Sequence, residues 1–353
     1  MHRIAARSVG RLAPMRFEIA TVHSVFARAC NLEMPDSTLV TLLDCRLGNA
    51  PHGIACEVPE SFTFNAVIRP GTKVSVRTGE LALEHTALVI DLSRAVRWDG
   101  AVSQHVVDPT SPATCNSLAM LWRMLQASSR SGGLFACWSL PDEAASPLHA
   151  ALQRRLATTL PLLARATVAR DAIMIETALS AIIGLGVGLT PSGDDLIVGY
   201  LAALWSQISL DATLQPLLEQ LRAPMQSMTT KTGAISRQFI LDASEGEFSE
   251  PLVDLVRAIA DGDDERVAIT AARALRIGHS SGADAVLGLL LGWDPRAFAA
   301  PILDHPISDH PISDHLVSDH PVSHHPESDH PVAIQPVANT TVENQPEPIA
   351  LDA

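Results

Sequence analysis

A sequence element that occurs twice places the strongest constraint on how this chain can fold. Residues 192–199, SGDDLIVG, are matched 89 positions later by residues 281–288, SGADAVLG, and each copy continues as an apolar segment that ends at tryptophan. Glycine one turn into each segment allows another backbone to approach closely. The duplication therefore predicts two equivalent helices that cross at Gly199 and Gly288 and bring their N-termini together.

The first copy has the features of an ordinary helix start. Pro191 suits the first turn of a helix, and Thr190 or Ser192 could cap it. Ser192 and Asp195 have the spacing of a capping box, in which each side chain satisfies a backbone N–H. A negative charge is also favourable at this end of the helix dipole. These residues could therefore serve helix formation alone.

The second copy favours a ligand site instead, because a cap needs no glycine before the acid and none four residues after it. Two joined helix N-termini offer unpaired N–H groups to an anion, and Mg²⁺ could bridge carboxylates to a phosphate. Asp195 and Asp284 are equivalent and are expected to face each other, whereas Asp194 has no counterpart, since Ala283 replaces it. His279 could act as acid, base or hydrogen-bond donor, or be purely structural.

The predicted site thus has three groups of residues. The catalytic candidates are Asp195, His279 and Asp284, and the candidate metal ligands are Asp194, Asp195 and Asp284. The candidates for substrate or phosphate binding in the two copies are Gly186, Gly188, Thr190, Ser192, Gly193, Ser280, Ser281 and Gly282.

A third segment, residues 229–246, is hydroxyl-rich and carries one of only two lysines in the chain. Lys231, Ser236 and Arg237 could hold a phosphate or carboxylate. The alternative is a solvated helix start.

Hydrophobic periodicity divides the chain. Residues 17–110 mostly alternate with period two, including 62–68, 73–77 and 86–92, which predicts a small antiparallel β-rich domain. From 111 to 297 the period is helical, with helices expected at 172–182, 193–208, 232–244 and 249–261. The predicted fold class is α+β, with the duplicated helix pair at the centre of the helical domain.

The two ends differ from this body. Residues 1–16 are arginine-rich without acids, which resembles a transit peptide but is interpreted as a flexible leader. Residues 298–353 contain a five-residue DHPxS repeat with proline at almost every fifth position. This segment is predicted to be disordered, with metal binding by its histidines as the alternative.

Charge and cysteine content restrict the class of protein. The net charge of −14 comes largely from the C-terminal tail, and without it the body carries about −5, with basic residues scattered. Nucleic-acid binding is therefore not expected. Five cysteines without paired spacing and the lack of a secretory segment predict a reduced, cytoplasmic protein. The apolar run 182–205 is interrupted by proline, glycines and aspartates, so no membrane span is expected.

The segments GLGVGLTPSGDDLIVG and GHSSGADAVLGLLLG resemble the two signatures of a bacterial family that includes the oxamate carbamoyltransferase subunit of anaerobic allantoin breakdown. Weaker similarity extends to TVHSVFARACNL and TGAISRQFILDASEG, so the resemblance covers roughly residues 17–297. It implies carbamoyl transfer between carbamoyl phosphate and oxamate, or phosphorolysis of oxalurate in reverse, within an assembly containing other subunits.

Two alternatives remain at this stage. An acidic helix start followed by glycines also resembles the Mg²⁺-binding helices of ADP-ribosylglycohydrolases. A non-catalytic partner subunit, whose paired helices form a protein interface, is the other alternative.

Overall fold

The computed structural model describes residues 2–14, 19–77, 79–128, 133–139 and 147–299. Its N-terminal part is a mixed sheet of nine strands. The strands are β1 (His2–Gly10), β2 (Ala20–Val25), β3 (Ala29–Glu33), β4 (Leu39–Asp44), β5 (Gly53–Cys56), β6 (Lys73–Arg77), β7 (Glu80–Leu83), β8 (Leu88–Asp91) and β9 (Val96–Trp98).

Strand pairing closes eight of these strands into a ring. The order runs β5-β4-β3-β2-β6-β7-β8-β1, and β1 pairs back onto β5. The side chains inside form their own buried core, which includes Leu32, Leu42, Ile54 and Ile90. Most pairs are antiparallel, but β4–β5, β1–β8 and β1–β9 are parallel. The expected β-rich domain is confirmed, and its description as antiparallel is corrected to mixed.

The expectation of a flexible leader at residues 1–16 is wrong for residues 2–10. Strand β1 is antiparallel to β5 on one side and parallel to β8 and then β9 on the other. Ile4 and Ala6 are buried, whereas Arg3, Ala5 and Arg7, which alternate with them along the strand, are exposed. This alternation has the period of a strand. The arginine content of the segment had favoured a flexible leader instead.

The strand predicted from the alternation at residues 62–68 is also wrong. Instead of a strand, Phe64–Val67 form one helical turn, α1. The N–H of Ile68 donates to the carbonyl of Phe64 at 2.8 Å, and both side chains are buried. One turn places these two residues on the same side of the backbone as effectively as a strand would place alternate residues.

The remaining described residues form ten helices. They are α2 (Pro112–Ala127), α3 (Leu134–Ser139), α4 (Pro147–Ala169), α5 (Ala172–Ile182), α6 (Ser192–Trp205), α7 (Leu214–Met228), α8 (Ala234–Ser244), α9 (Glu250–Asp261), α10 (Asp264–Leu275) and α11 (Ser281–Trp293). The α+β class and the four expected helices are thus confirmed. Within the described ranges, no helix has the length and apolarity needed to span a membrane.

The duplicated helices α6 and α11 pack at the centre of the helical core, as predicted. A Cβ atom at Gly199 would lie 1.9 Å from the carbonyl oxygen of Ala285, and one at Gly288 would lie 2.1 Å from that of Leu196. Leu196 and Ala285 are equivalent positions of the two copies, so the crossing has an approximate twofold symmetry. The repeat tail lies outside the described residues from position 300 onward.

Candidate functional site

The N-termini of α6 and α11 meet because a second pair of glycines seats each helix against the helix before it. A Cβ atom at Gly193 would lie 2.0 Å from the carbonyl oxygen of Ile182 at the end of α5. A Cβ atom at Gly282 would lie 2.0 Å from the carbonyl oxygen of Ala274, near the end of α10. Gly193 and Gly282 thus position the site, and their close backbone contacts explain why the motif requires glycine.

Hydroxyl groups connect the two copies across the junction. Thr190 Oγ1 and Ser281 Oγ are 3.0 Å apart, and Ser192 Oγ and Ser280 Oγ are 3.4 Å apart. Neither helix start has a side-chain cap. The capping interpretation is therefore wrong for these residues, because their hydroxyls accept no backbone N–H at the helix start and instead contact each other across the junction and the two carboxyl groups.

Asp195 lies at this junction with most of its side chain removed from water. Burial raises its pKa to about 8, with a further increase from the charge of Asp284, while the hydroxyls of Ser281 and Thr190 oppose the shift. Its Oδ2 is buried and has no hydrogen-bond partner. Asp195 therefore favours the protonated form near neutral pH.

Asp284, the equivalent residue of the second copy, is fully buried. Its Oδ1 accepts a hydrogen bond from the N–H of Leu134 at 2.7 Å, while its Oδ2 has no partner. Burial raises its pKa to about 6, and the Ser192 hydroxyl and the Leu134 N–H limit the increase. Each carboxylate is thus stabilised by the serine of the other copy, Ser192 for Asp284 and Ser281 for Asp195.

The two carboxyl groups form a coupled pair with different proton affinities. Because one negative charge opposes the other, the pair loses its protons in two steps. Burial raises the pKa of both groups, and that of Asp195 more than that of Asp284, so the pair favours holding one proton near neutral pH. One site therefore offers both a proton acceptor and a proton donor, which suits general acid–base chemistry.

Asp194 is placed differently, although it is the next residue in the chain. Its Oδ1 accepts from the N–H of Gly184 at 2.7 Å, and its Oδ2 accepts from Ser236 Oγ at 2.6 Å and from the hydroxyl of Thr232. It is buried. With three donors on its carboxylate, Asp194 ties α6 to the glycine loop before it and to the start of α8, and these contacts leave it poorly suited to bind a metal.

The third segment contributes support rather than a clear anion site. The Ser236 hydroxyl donates a hydrogen bond to Asp194 and is not free to bind a ligand. Lys231 is exposed, and its Nζ donates to Ser180 Oγ at 2.8 Å. Arg237 is partly buried one turn into α8 and forms no side-chain hydrogen bond or ion pair with a described residue. Arg237 therefore keeps its charged group available to a ligand, and Lys231, which uses one of its three donors on Ser180, also has donors left.

The remaining candidates lie at the rim of the junction. Gly186 and Gly188 are exposed and have φ values of 121° and 104°, which L side chains rarely adopt. A Cβ atom at Gly186 would also lie 2.7 Å from the amide nitrogen of Ser192. His279 is exposed and has no hydrogen bond with a described residue. The positive φ values explain why glycine occupies positions 186 and 188. The catalytic role of His279 stays a prediction.

The contacts that come from α3 were not predicted from the sequence. The N–H groups of Leu134 and Phe135 point at Asp284 Oδ1, at 2.7 and 3.4 Å. A Cβ atom at Gly133 would lie 2.6 Å from the same oxygen. The Gly132-Gly133 pair before an apolar segment was a signal of close backbone approach, but nothing in it names the partner 150 residues away.

Two family models match the chain. The model described as the AllH family N-terminal domain matches residues 2–97, and the model described as oxamate carbamoyltransferase subunit AllH matches residues 182–293. Together these matches cover more than half of the chain. The chain belongs to the AllH family.

The AllH matches also bear on particular elements. Both copies of the duplicated motif fall inside the second match, and strand β1 falls inside the first. The family resemblance proposed from the signature segments is thereby confirmed. No solved structure matches the chain.

Proposed function

We propose that this chain is a subunit of an assembly that transfers a carbamoyl group between carbamoyl phosphate and oxamate, and that the junction of α6 and α11 is its reactive site. The family description supports the assembly. The observation that carries the site is the pair of buried carboxyl groups, Asp195 and Asp284, each with one oxygen lacking a hydrogen-bond partner.

The chemistry of the reaction calls for such a pair. In the direction of oxalurate formation, the amide nitrogen of oxamate forms a bond to the carbamoyl carbon and loses a proton. The carbon–oxygen bond to phosphate breaks, and the phosphate leaves with the bonding electrons. In this proposal Asp284, the group of lower pKa, accepts the proton, and Asp195, the group of higher pKa, donates a proton to the leaving phosphate.

Mg²⁺ is the cofactor proposed from the sequence, and the junction fits it in part. Mg²⁺ commonly binds through one or two carboxylates, with water and substrate phosphate completing its octahedron. Asp284 could supply one such oxygen. Asp195 could supply a second only in its ionised form, in which it has no proton to donate, and Asp194 is engaged with other donors. No group of three or more His, Cys, Asp or Glu side chains arranged for a metal occurs among the described residues. A bound Mg²⁺ would neutralise charge on the phosphate.

The test is reconstitution with the other subunits of the assembly. Phosphate-dependent cleavage of oxalurate is measured with the wild-type chain, with Asp195→Asn and with Asp284→Asn, each with Mg²⁺ and with EDTA. Loss of a general acid or base typically costs about 10²–10⁴-fold in rate, so we expect a decrease of that size in both variants while the assembly still forms.

Two results would contradict the proposal. Normal activity of both variants would return the chain to the role of a non-catalytic partner subunit. Activity of the isolated chain on ADP-ribosylated substrates would support the hydrolase alternative. Equal activity with Mg²⁺ and EDTA would remove only the metal from the proposal.

A further inference from the structure

The glycine loop at the rim of the junction carries two apolar side chains that the fold leaves in water. This loop, residues 184–189, connects α5 to α6. Val187 is 80% exposed, the highest value for a large apolar side chain among the described residues, and Leu189 is 60% exposed. Exposed apolar side chains that are grouped and bordered by polar residues commonly mark a surface that binds another protein.

The exposure of these two side chains follows from the backbone of the loop. The N–H of Gly184 donates to Asp194 Oδ1 at 2.7 Å, and Leu185 packs against the helical core. The three glycines of the loop have positive φ values, a conformation that few other residues adopt. The loop is thus fixed at its base by Leu185, and its geometry directs Val187 and Leu189 to solvent.

Two basic side chains lie beside this loop, at the start of α8. A Cβ atom at Gly184 would lie 2.9 Å from the carbonyl oxygen of Lys231, and one at Gly233 would lie 4.0 Å from that of Leu189. Arg237 follows one turn after Gly233. Neither Lys231 nor Arg237 forms an ion pair with a described residue.

These apolar and basic groups together form what is called here the loop surface: Val187, Leu189, Lys231 and Arg237. Residues 184–191 and 229–237 contain two basic residues and no acidic residue. A twofold interface places each patch against itself, so a second copy packed through this surface would bring like charges together. A different chain with carboxylates at the edge of an apolar patch meets no such repulsion.

The loop surface also adjoins the paired carboxyl groups. Leu189 precedes Thr190, whose Oγ1 lies 3.0 Å from Ser281 Oγ across the junction. The Thr190 hydroxyl also forms a hydrogen bond with Asp195. A chain that covers Leu189 therefore reaches the side of the junction that Thr190 forms.

We infer that the loop surface is the docking site for another subunit of the assembly, one that presents apolar side chains to the loop and carboxylates to the two basic groups. The family description, which names a subunit of a carbamoyltransferase, supports the existence of such a chain. The inference rests on the proposed function only in taking the chain to be part of an assembly, and it does not depend on the chemistry of the paired carboxyl groups.

Leu189→Asp tests the apolar contact, and Leu210→Asp is the matched control. Leu210 is 54% exposed and also lies in a loop, but it follows the C-terminal end of α6, whereas Leu189 precedes the N-terminal end. The 14 residues of α6 separate the two positions by about 21 Å. Each full-length variant is mixed with the other subunits, and association is measured by sedimentation velocity. We expect Leu189→Asp to weaken association at least about tenfold, the equivalent of about 1.4 kcal/mol, and Leu210→Asp to associate as wild type does.

Lys231 allows the occupant of the surface to be identified, because the chain contains only two lysines. A carbodiimide condenses a lysine amine with a carboxylate that is in contact with it. In the wild-type assembly, mass spectrometry should find peptides that join Lys231 to an acidic residue of another subunit. Lys73, on strand β6, measures how much coupling occurs away from the loop surface.

The outcomes separate this inference from the proposed reaction. The inference is overturned if Leu189→Asp associates as tightly as wild type, or if Lys231 couples to a second copy, to the acidic tail of its own chain, or to no acidic residue of another subunit. A wild-type assembly that forms but transfers no carbamoyl group would refute the proposed reaction and leave the docking surface in place. Failure of the wild-type chain to associate with any other subunit would refute both.

Discussion

Replacing Asp195 by Asn tests the proton chemistry of the junction without an activity assay. Asparagine has nearly the same shape as a protonated aspartic acid but cannot ionise. In the wild-type protein, burial and the charge of Asp284 raise the pKa of Asp195 to about 8. In the unfolded chain the same group titrates near about 3.9.

The difference between the folded and unfolded pKa values gives the sign and size of the change in stability with pH. Between those two pKa values the folded state holds a proton that the unfolded state has lost, so wild-type stability falls as pH rises. This contribution is fully present below about pH 4 and is lost above about pH 8. Each pH unit corresponds to about 1.4 kcal/mol, so the upper limit between pH 5 and pH 8 is about 4 kcal/mol. Because water reaches part of the side chain, we expect at least about 2 kcal/mol.

Urea denaturation of wild type and Asp195→Asn at pH 5, 6, 7 and 8 measures this directly. The stability of the variant relative to wild type should increase with pH. A difference that stays constant across the range would mean that Asp195 is already ionised at pH 5, and the assignment of Asp195 as the proton donor would fail.

Asp194→Asn is the matched control, because it is the same substitution one residue earlier in the same buried turn. Asp194 accepts hydrogen bonds from three donor groups. The side-chain NH₂ of an asparagine is itself a donor, so it would face at least one of these groups without forming a hydrogen bond. A buried donor left unsatisfied costs about 1–3 kcal/mol, so this variant should be less stable than wild type at pH 7. Equal behaviour of the two variants would refute the different placement of the two aspartates.

Three further predictions concern stability and the site. Gly199→Ala or Gly288→Ala should destabilise the protein by at least about 3 kcal/mol in urea denaturation, because the new methyl group meets a backbone carbonyl across the helix crossing. In the control Gly233→Ala the nearest atom is 4.0 Å from the new methyl group, so the loss of stability should be no more than about 1 kcal/mol. Gly133→Ala should displace the Asp284 carboxylate, lowering stability by about 1–3 kcal/mol and reducing activity in the reconstituted assembly, and unchanged activity would contradict the contact. Truncation after Ala300 should leave the melting temperature nearly unchanged, since the repeat lacks the apolar content for a core and the described core already includes Phe298; a large decrease in Tm would show that the tail packs on the body.

Local patterns in the sequence predicted the helical character of residues 111–297 and several of its helices, but not α2, α3, α4 and α7 individually. The faces of α5 and the starts of α6, α8 and α9 follow from the spacing of apolar residues, which reflects the 3.6-residue helical repeat. The crossing of α6 and α11 was also predictable, because Gly199 and Gly288 occupy equivalent positions of a duplicated motif. The β-rich part was less predictable at two places. The arginine content of residues 2–10 favoured a flexible leader over strand β1, and the alternation at residues 62–68 favoured a strand over a helical turn.

The division of roles between Asp194 and Asp195 depends on tertiary structure. The two residues are identical and adjacent, but neighbours on a helix point about 100° apart, as 3.6 residues complete a turn. One carboxylate therefore reaches Thr232 and Ser236 around α8, and the other reaches the second copy of the motif. The approach of α3 to Asp284 and of His52 to Asp242 joins residues 150 and 190 positions apart. The sequence determined that the duplicated pair of helices forms and where it crosses, whereas packing over these long separations decided which carboxyl oxygens have hydrogen-bond partners and which have none.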